Sequence, residues 1–195
     1  MRLAERVARR FTASTLLPVP IIPQSSDFSC GSACLLAVLH YWKGDNIGVS
    51  HEADLWKPLA IDTEAGAEPE QIVALAGQFG LAARHVLDLT QVDLQAALGK
   101  GQTVILLLQA WRERPVGWLV DWEDGHYIVL VGMDDANAFF MDPSIHTSYG
   151  WMPREELDLR WHSPDTEGMP QFGAGVIIEG SAGARSFPAA PQRIR

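Results

Sequence analysis

The residues of this 195-residue chain best suited to do chemistry are Gln24, Cys30, His126 and Asp142. A thiolate is a strong nucleophile, but a free thiol is mostly protonated at neutral pH and needs help to ionise. Cys30 follows the polar loop Gln24-Ser25-Ser26-Asp27-Phe28-Ser29 and opens an apolar run that continues to Trp42. That pattern predicts a buried helix with Cys30 in its first turn, where the positive end of the helix dipole favours the thiolate. His126 opens a β-branched run directly after Asp124-Gly125, so a strand fixes its backbone while its ring is free to face a cleft. Asp142 ends the next apolar run, and a hairpin between the two runs brings it to the sheet edge that holds His126. A thiol, an imidazole to take its proton and a carboxylate to orient the imidazole together allow nucleophilic attack on a carbonyl. The oxyanion formed in that attack needs donors, and the Gln24 amide, six residues before Cys30, suits that role beside the Cys30 backbone N–H. Singly, each residue has an ordinary structural use. Their order, and their placement at a helix start and a strand start, bind them into one constellation.

The elements that must position them can be read in order. Leu16 to Pro23 carries three prolines and is expected to be extended, delivering Gln24 beside the helix start. Ser29 or Asp27 is the expected N-cap of the helix Cys30 to Trp42, and Gly44-Asp45-Asn46 ends it. Residues 50–60 suggest a short helix. A helix over 68–79 begins at Glu68-Pro69 and stops at Gly80, and a second over 90–98 is capped by Thr90 and closed by Gly99. Strands are expected at 81–87, 103–109, 126–132, 138–141 and 175–178, with one helical turn at 153–157. Helices in the first half and strands in the second give an α+β fold, with an N-terminal helical half and a C-terminal antiparallel sheet. A single domain is expected over 1–180 with its core at about 20–160, followed by a disordered tail at 181–195 rich in Ala, Gly, Pro, Ser and Arg.

Composition excludes several function classes. With 15 Lys and Arg against 24 Asp and Glu, the net charge of −9 gives no basic footprint for nucleic acid. The cysteines, Cys30 and Cys34, stand on consecutive turns of one helix face, where a bridge would constrain almost nothing, which fits a reducing compartment and a cytoplasmic protein. The basic segment 3–11 is expected to be a terminal helix rather than a signal peptide or membrane anchor, and no stretch has the apolar length of a membrane span. No metal or cofactor is expected. Cys30, Cys34 and His126 lack zinc-site spacing, Gly99-Lys100-Gly101-Gln102-Thr103 is a turn before a strand, and Asp134-Asp135-Ala136-Asn137 is a hairpin turn. Cys34 is expected in the core. Trp111, Trp118 and Trp122 either line a peptide groove or pack their own loop.

Gln24, then Cys30-Gly31-Ser32-Ala33-Cys34-Leu35, then Gly125-His126-Tyr127-Ile128-Val129-Leu130-Val131-Gly132, then Met141-Asp142-Pro143 resemble family 39 of the cysteine peptidases. These are the papain-like, bacteriocin-processing, double-glycine leader peptidases and their stand-alone relatives, and the resemblance spans about residues 20–160. It implies a papain-like fold with Cys30 as nucleophile, His126 as general base and acid, Asp142 as the orienting group and Gln24 as an oxyanion donor. It also implies a peptide or amide substrate such as a precursor peptide, with a transporter or biosynthetic partner encoded separately. The chain departs from the family in carrying Ser29 where many relatives place an acid, in a long Trp-containing loop over 112–125, and in having no membrane or ATPase part. The same residues would equally support an acyltransferase working through a Cys30 thioester. A non-catalytic leader-peptide-binding module is the third reading, and it leaves the cysteine without a purpose.

Overall fold

A helix that is apolar nearly all round is stable only when other elements cover it on every side. The computed structural model describes residues 16–111, 117–165, 167–180 and 189–193, and in it every residue from Cys30 to Trp42 of helix α1 (Cys30–Lys43) is buried. Gly44 ends α1 at φ 84°, a left-handed conformation that glycine adopts without a Cβ clash. After a 3-10 turn (Glu52–Leu55), helix α2 (Pro69–Gln78) starts on a proline whose missing N–H costs nothing at that position. Strand β1 (Ala82–Val86) follows, and helix α3 (Gln91–Gly99) is capped by the Thr90 hydroxyl, which accepts from the Asp93 N–H. Then come β2 (Thr103–Gln109), β3 (Gly125–Met133), β4 (Asn137–Met141) and β5 (Ser148–Pro153). Helix α4 (Arg154–Arg160) leads into a small ladder of β6 (His162–Pro164) and β7 (Pro170–Phe172), and β8 (Gly175–Glu179) and β9 (Ala189–Arg193) close the order.

The main sheet runs β1-β8-β2-β3-β4-β5-β9, antiparallel throughout apart from the parallel β5–β9 pair. Consecutive residues of a strand face opposite sides, and both sides of this sheet are covered. Helices α1 and α2 pack with Ile105, Val129, Val131 and Phe139 on one face. Leu94 and Ala97 of α3 and Leu157 of α4 pack with Val104, Leu106, Leu130 and Phe140 on the other. That double cover is why β2 and β3 read as unbroken apolar runs.

Three expectations need correction. The core reaches beyond residue 160 to Ile178, because β8 inserts between β1 and β2 and is covered by a strand on each side. Residues 189–193, expected in a disordered tail, form β9 and pair along the outer edge of β5. Ser29 occupies the N-cap position of α1, but its hydroxyl makes no bond to the helix amides and is drawn to the Glu52 carboxylate instead. The basic segment 3–11 and residues 112–116 of the Trp-containing loop lie outside the described residues. No helix among the described residues is long and apolar enough to cross a membrane.

Candidate active site

Antiparallel pairing sets the start of β3 beside the end of β4, so His126 and Asp142 meet at one sheet edge. His126 Nε2 donates to Asp142 Oδ1 at 2.8 Å, with the two side chains only 1% and 2% exposed. The same carboxylate oxygen accepts from the Ser144 backbone N–H at 2.9 Å and from its hydroxyl at 2.7 Å. Ser144 had no distinct signal in the sequence beyond its place in the turn Asp142-Pro143-Ser144.

Helix α1 lies across β3, and the Cys34 thiol donates to Tyr127 O at 3.2 Å, one residue past His126. Gly31 permits the close approach. A Cβ there would stand 3.0 Å from Ala67 Cβ and 3.2 Å from the Tyr127 ring. Tyr127 in turn donates its hydroxyl to Ala67 O at 3.0 Å, fixing the loop that walls the cleft beside Cys30. The remaining ring nitrogen of His126, Nδ1, has no hydrogen-bond partner among the described residues, and the Cys30 thiol lies close enough to it for the two groups to shift each other's titration.

Burial pushes the Cys30 thiol up, but the neighbouring His126 ring, with the Tyr127 and Gly31 amides, outweighs it and holds the thiol below its ordinary range. Burial likewise disfavours the charged His126 ring, and Asp142 and Cys30 together overcome it, raising the imidazole to about 9. Asp142 is held low: burial pushes it up, and His126 and Ser144 more than compensate. The three shifts all run in the direction of a thiolate–imidazolium pair backed by a carboxylate. Cys34 goes the other way. Burial, then the charges of Cys30 and Asp142, push its thiol well up, so it stays a protonated core residue.

Gln24 is joined to the same edge, since its backbone N–H donates to Pro143 O at 3.0 Å. Its Nε2 donates to Ser26 O at 3.0 Å, and its buried Oε1 has no partner among the described residues. Gln24 and Trp111 line a cleft of about 750 Å³ with Ser144 and His146, within the size range of ligand-binding clefts. A smaller cleft lined by Cys30, Gly66, Ala67 and Tyr127 adjoins it at Asp27, Glu64 and Gly125. All four sequence-derived residues therefore belong to one region.

The tryptophans separate by role. The Trp118 ring lies under the Arg160 guanidinium at 4.2 Å, and Trp122 packs on His162 at 4.3 Å between ring centroids. Both belong to the packing of their loop, whose base Gln109 closes by accepting from Asp124 N–H and donating to His162 O. Trp111 instead lies over the His126 ring, 4.2 Å between centroids, from a backbone at φ 46° that a bulky residue adopts only under constraint.

Comparison with known proteins gives a consistent picture. The profile of the Peptidase_C39 like family matches residues 16–168. No curated protein matches the chain. The crystal structure of a C39-like peptidase from Bacillus anthracis superposes with a TM-score of 0.62 at 16% identity, over 87% of this chain and 98% of the other. A double glycine motif protease from an AMS/PCAT transporter, solved with its leader peptide, gives 0.58 at 19% identity over 86% of this chain and 95% of that one. The peptidase domain of Streptococcus ComA, a bifunctional ABC transporter of a quorum-sensing pathway, gives 0.53 at 16% identity over 86% and 98%. These likenesses establish the α+β papain-like fold.

Proposed function

The chain belongs to the Peptidase_C39 like family, and we propose that it cleaves a peptide or amide bond with Cys30 as nucleophile, His126 as acid and base, Asp142 as orienting carboxylate and Gln24 as oxyanion donor. The Cys30 thiolate attacks the carbonyl carbon, and the electron pair displaced onto oxygen is stabilised by Gln24 Nε2 and the Cys30 backbone N–H. His126 Nδ1–H then protonates the leaving amine as the C–N bond breaks, leaving an acyl thioester on Cys30. The now neutral His126 takes a proton from water, which attacks the thioester and releases the acid, and the thiolate–imidazolium pair is restored. The observation that carries this reading is the His126 ring, tied by Nε2 to Asp142 with Nδ1 left to the thiol.

A precursor or leader peptide is the substrate class that suits the site, because the cleft lined by Cys30 adjoins the larger one lined by Gln24 and Trp111, giving room for an extended chain. The leader peptide bound by the double glycine motif protease of the same fold supports that choice. In this reading a separately encoded transporter or biosynthetic enzyme shares the peptide, and the two free thiols suit the reducing cytoplasm. The test incubates precursor peptides carrying a Gly-Gly site with the wild type and with Cys30→Ala, and reads cleavage by mass spectrometry. Cleavage by the wild type alone supports the reading. Cleavage by both proteins removes Cys30 from it, and cleavage by neither removes the substrate class.

A further inference from the structure

Among the buried carboxylates that the mechanism leaves unused, Glu52 has the densest set of donors. Glu52, at the start of the 3-10 turn, is 4% exposed. Its Oε1 accepts from the Ser25 backbone N–H at 2.9 Å, from the Ser25 hydroxyl, and from the Ser29 hydroxyl at 3.0 Å. Its Oε2 accepts from the Ser32 hydroxyl and from Trp56 Nε1 at 2.6 Å. None of these five donors is charged. Burial pushes the carboxyl up, but Ser25, Ser32 and Trp56 outweigh it, and the group stays an anion at neutral pH. A buried anion without a cation is costly unless every lone pair is used, and such a residue ties together whatever donates to it.

What Glu52 ties together is the loop carrying Gln24 and the helix start carrying Cys30. Ser29 and Ser32 sit in the first turn of α1, while Ser25 is the neighbour of Gln24. The loop is strung between two anchors, Gln24 N–H on Pro143 O and Ser25 on Glu52. Between them the Gln24 side chain has one amide hydrogen on Ser26 O and a second without a partner among the described residues. The negative charge beside the first turn of α1 also complements the helix dipole. We infer that Glu52 is a positioning residue, which holds the Gln24 amide and the Cys30 backbone N–H in register as one oxyanion site. The inference rests on the proposed role of Cys30 and Gln24.

Two reagents separate this role from simple structural support. Acylation of Cys30 by p-nitrophenyl acetate passes through a tetrahedral oxyanion, whereas alkylation by iodoacetamide displaces iodide and forms none. In Glu52→Gln the charge is lost and the new NH2 confronts either the Ser25 backbone N–H or the Trp56 indole N–H, so the clamp on the loop is weakened whichever way the amide turns. Acylation is expected to slow by about 10- to 100-fold, the scale of a misplaced oxyanion donor, while alkylation and its pH profile stay within about twofold. Combining Glu52→Gln with Gln24→Ala should add little to the acylation loss of Gln24→Ala alone, because both remove the same donor. Ser25→Ala, which deletes one surface arm of the clamp, is expected to give the same pattern at smaller size and covers the case in which Glu52→Gln fails to fold. Wild-type acylation in Glu52→Gln, or equal losses in both reactions with additivity to Gln24→Ala, would overturn the inference. Failure of either reagent to modify wild-type Cys30 faster than a free thiol would instead overturn the catalytic reading beneath it.

Discussion

Cys30 is held below its ordinary range and His126 is raised to about 9, which favours the shared proton on the ring, and Asp142 contributes most to raising it. The pair is competent only in the window where the thiol has ionised and the ring has not lost its proton. The acid limb of a rate profile belongs to Cys30, below the ordinary thiol value of 9.0, and the alkaline limb to His126 near 9. Acylation rates measured from pH 5 to about 10 should therefore form a broad bell, and activity still rising past pH 10 would contradict the ion pair. Asp142→Asn keeps an acceptor for Nε2–H and removes the charge. His126 then falls from about 9 toward its ordinary 6.5, and the alkaline limb should move down with it. The rate at pH 7 should drop by about 100-fold, the lower end of what a general acid–base group contributes. An alkaline limb that stays in place in Asp142→Asn would mean that the carboxylate orients the ring without charging it.

Elements carried unequal amounts of their own signal. Helix α1 and strands β2, β3 and β4 were legible because each buries a continuous apolar run bounded by Gly, Asn or Asp. Cys30, His126 and Asp142 were legible with them, since each marks the end of such a run. Strand β5, Ser-Tyr-Gly-Trp-Met-Pro, was missed because a glycine and a proline interrupt it and its pairing with β4 is a tertiary fact. Helix α4 looked like a single turn because its last residue, Arg160, reads as solvent-facing; in the fold it is fully buried, with Nε on Gln109 O at 2.8 Å. Glu52 gave no signal at all, for its serine donors lie 20 to 27 residues away and only Trp56 is local. Trp111 was visible only as one tryptophan among several. Its strained backbone is the clue that the element ending at Gln109 is bent to lay an indole on His126. Trp111→Gly removes that strain, about 1–2 kcal/mol, while giving up the ring contact. The melting temperature should change little, and the acylation rate should fall by about tenfold as the His126 face opens to water. A variant that melts far lower with normal activity would make Trp111 a packing residue.

Over the whole molecule, the site's titrations should appear in stability. His126 is raised in the fold, so its contribution is complete below its ordinary 6.5 and is lost as pH climbs through about 9. Cys30 is lowered, so its contribution is complete above 9.0 and is lost as pH falls through its folded value. Above the folded value of Cys30 and up to about 9 these slopes oppose each other, because folding there moves a proton from thiol to imidazole and exchanges little with solvent. The wild-type melting temperature should therefore be nearly level across that range. Asp142 and Glu52 are both lowered, so their contributions are present above the ordinary carboxyl values of 3.8 and 4.5 and vanish as pH falls further, giving a steep acid edge. Cys30→Ala removes the compensating thiolate and leaves the Asp142-supported imidazolium alone. Its melting temperature should decline as pH rises from 6.5 toward 9, whereas the wild type stays level above the folded value of Cys30. Calorimetry of the two proteins across this window measures the difference, and parallel curves would mean that the thiol and the ring are neutral in the folded protein.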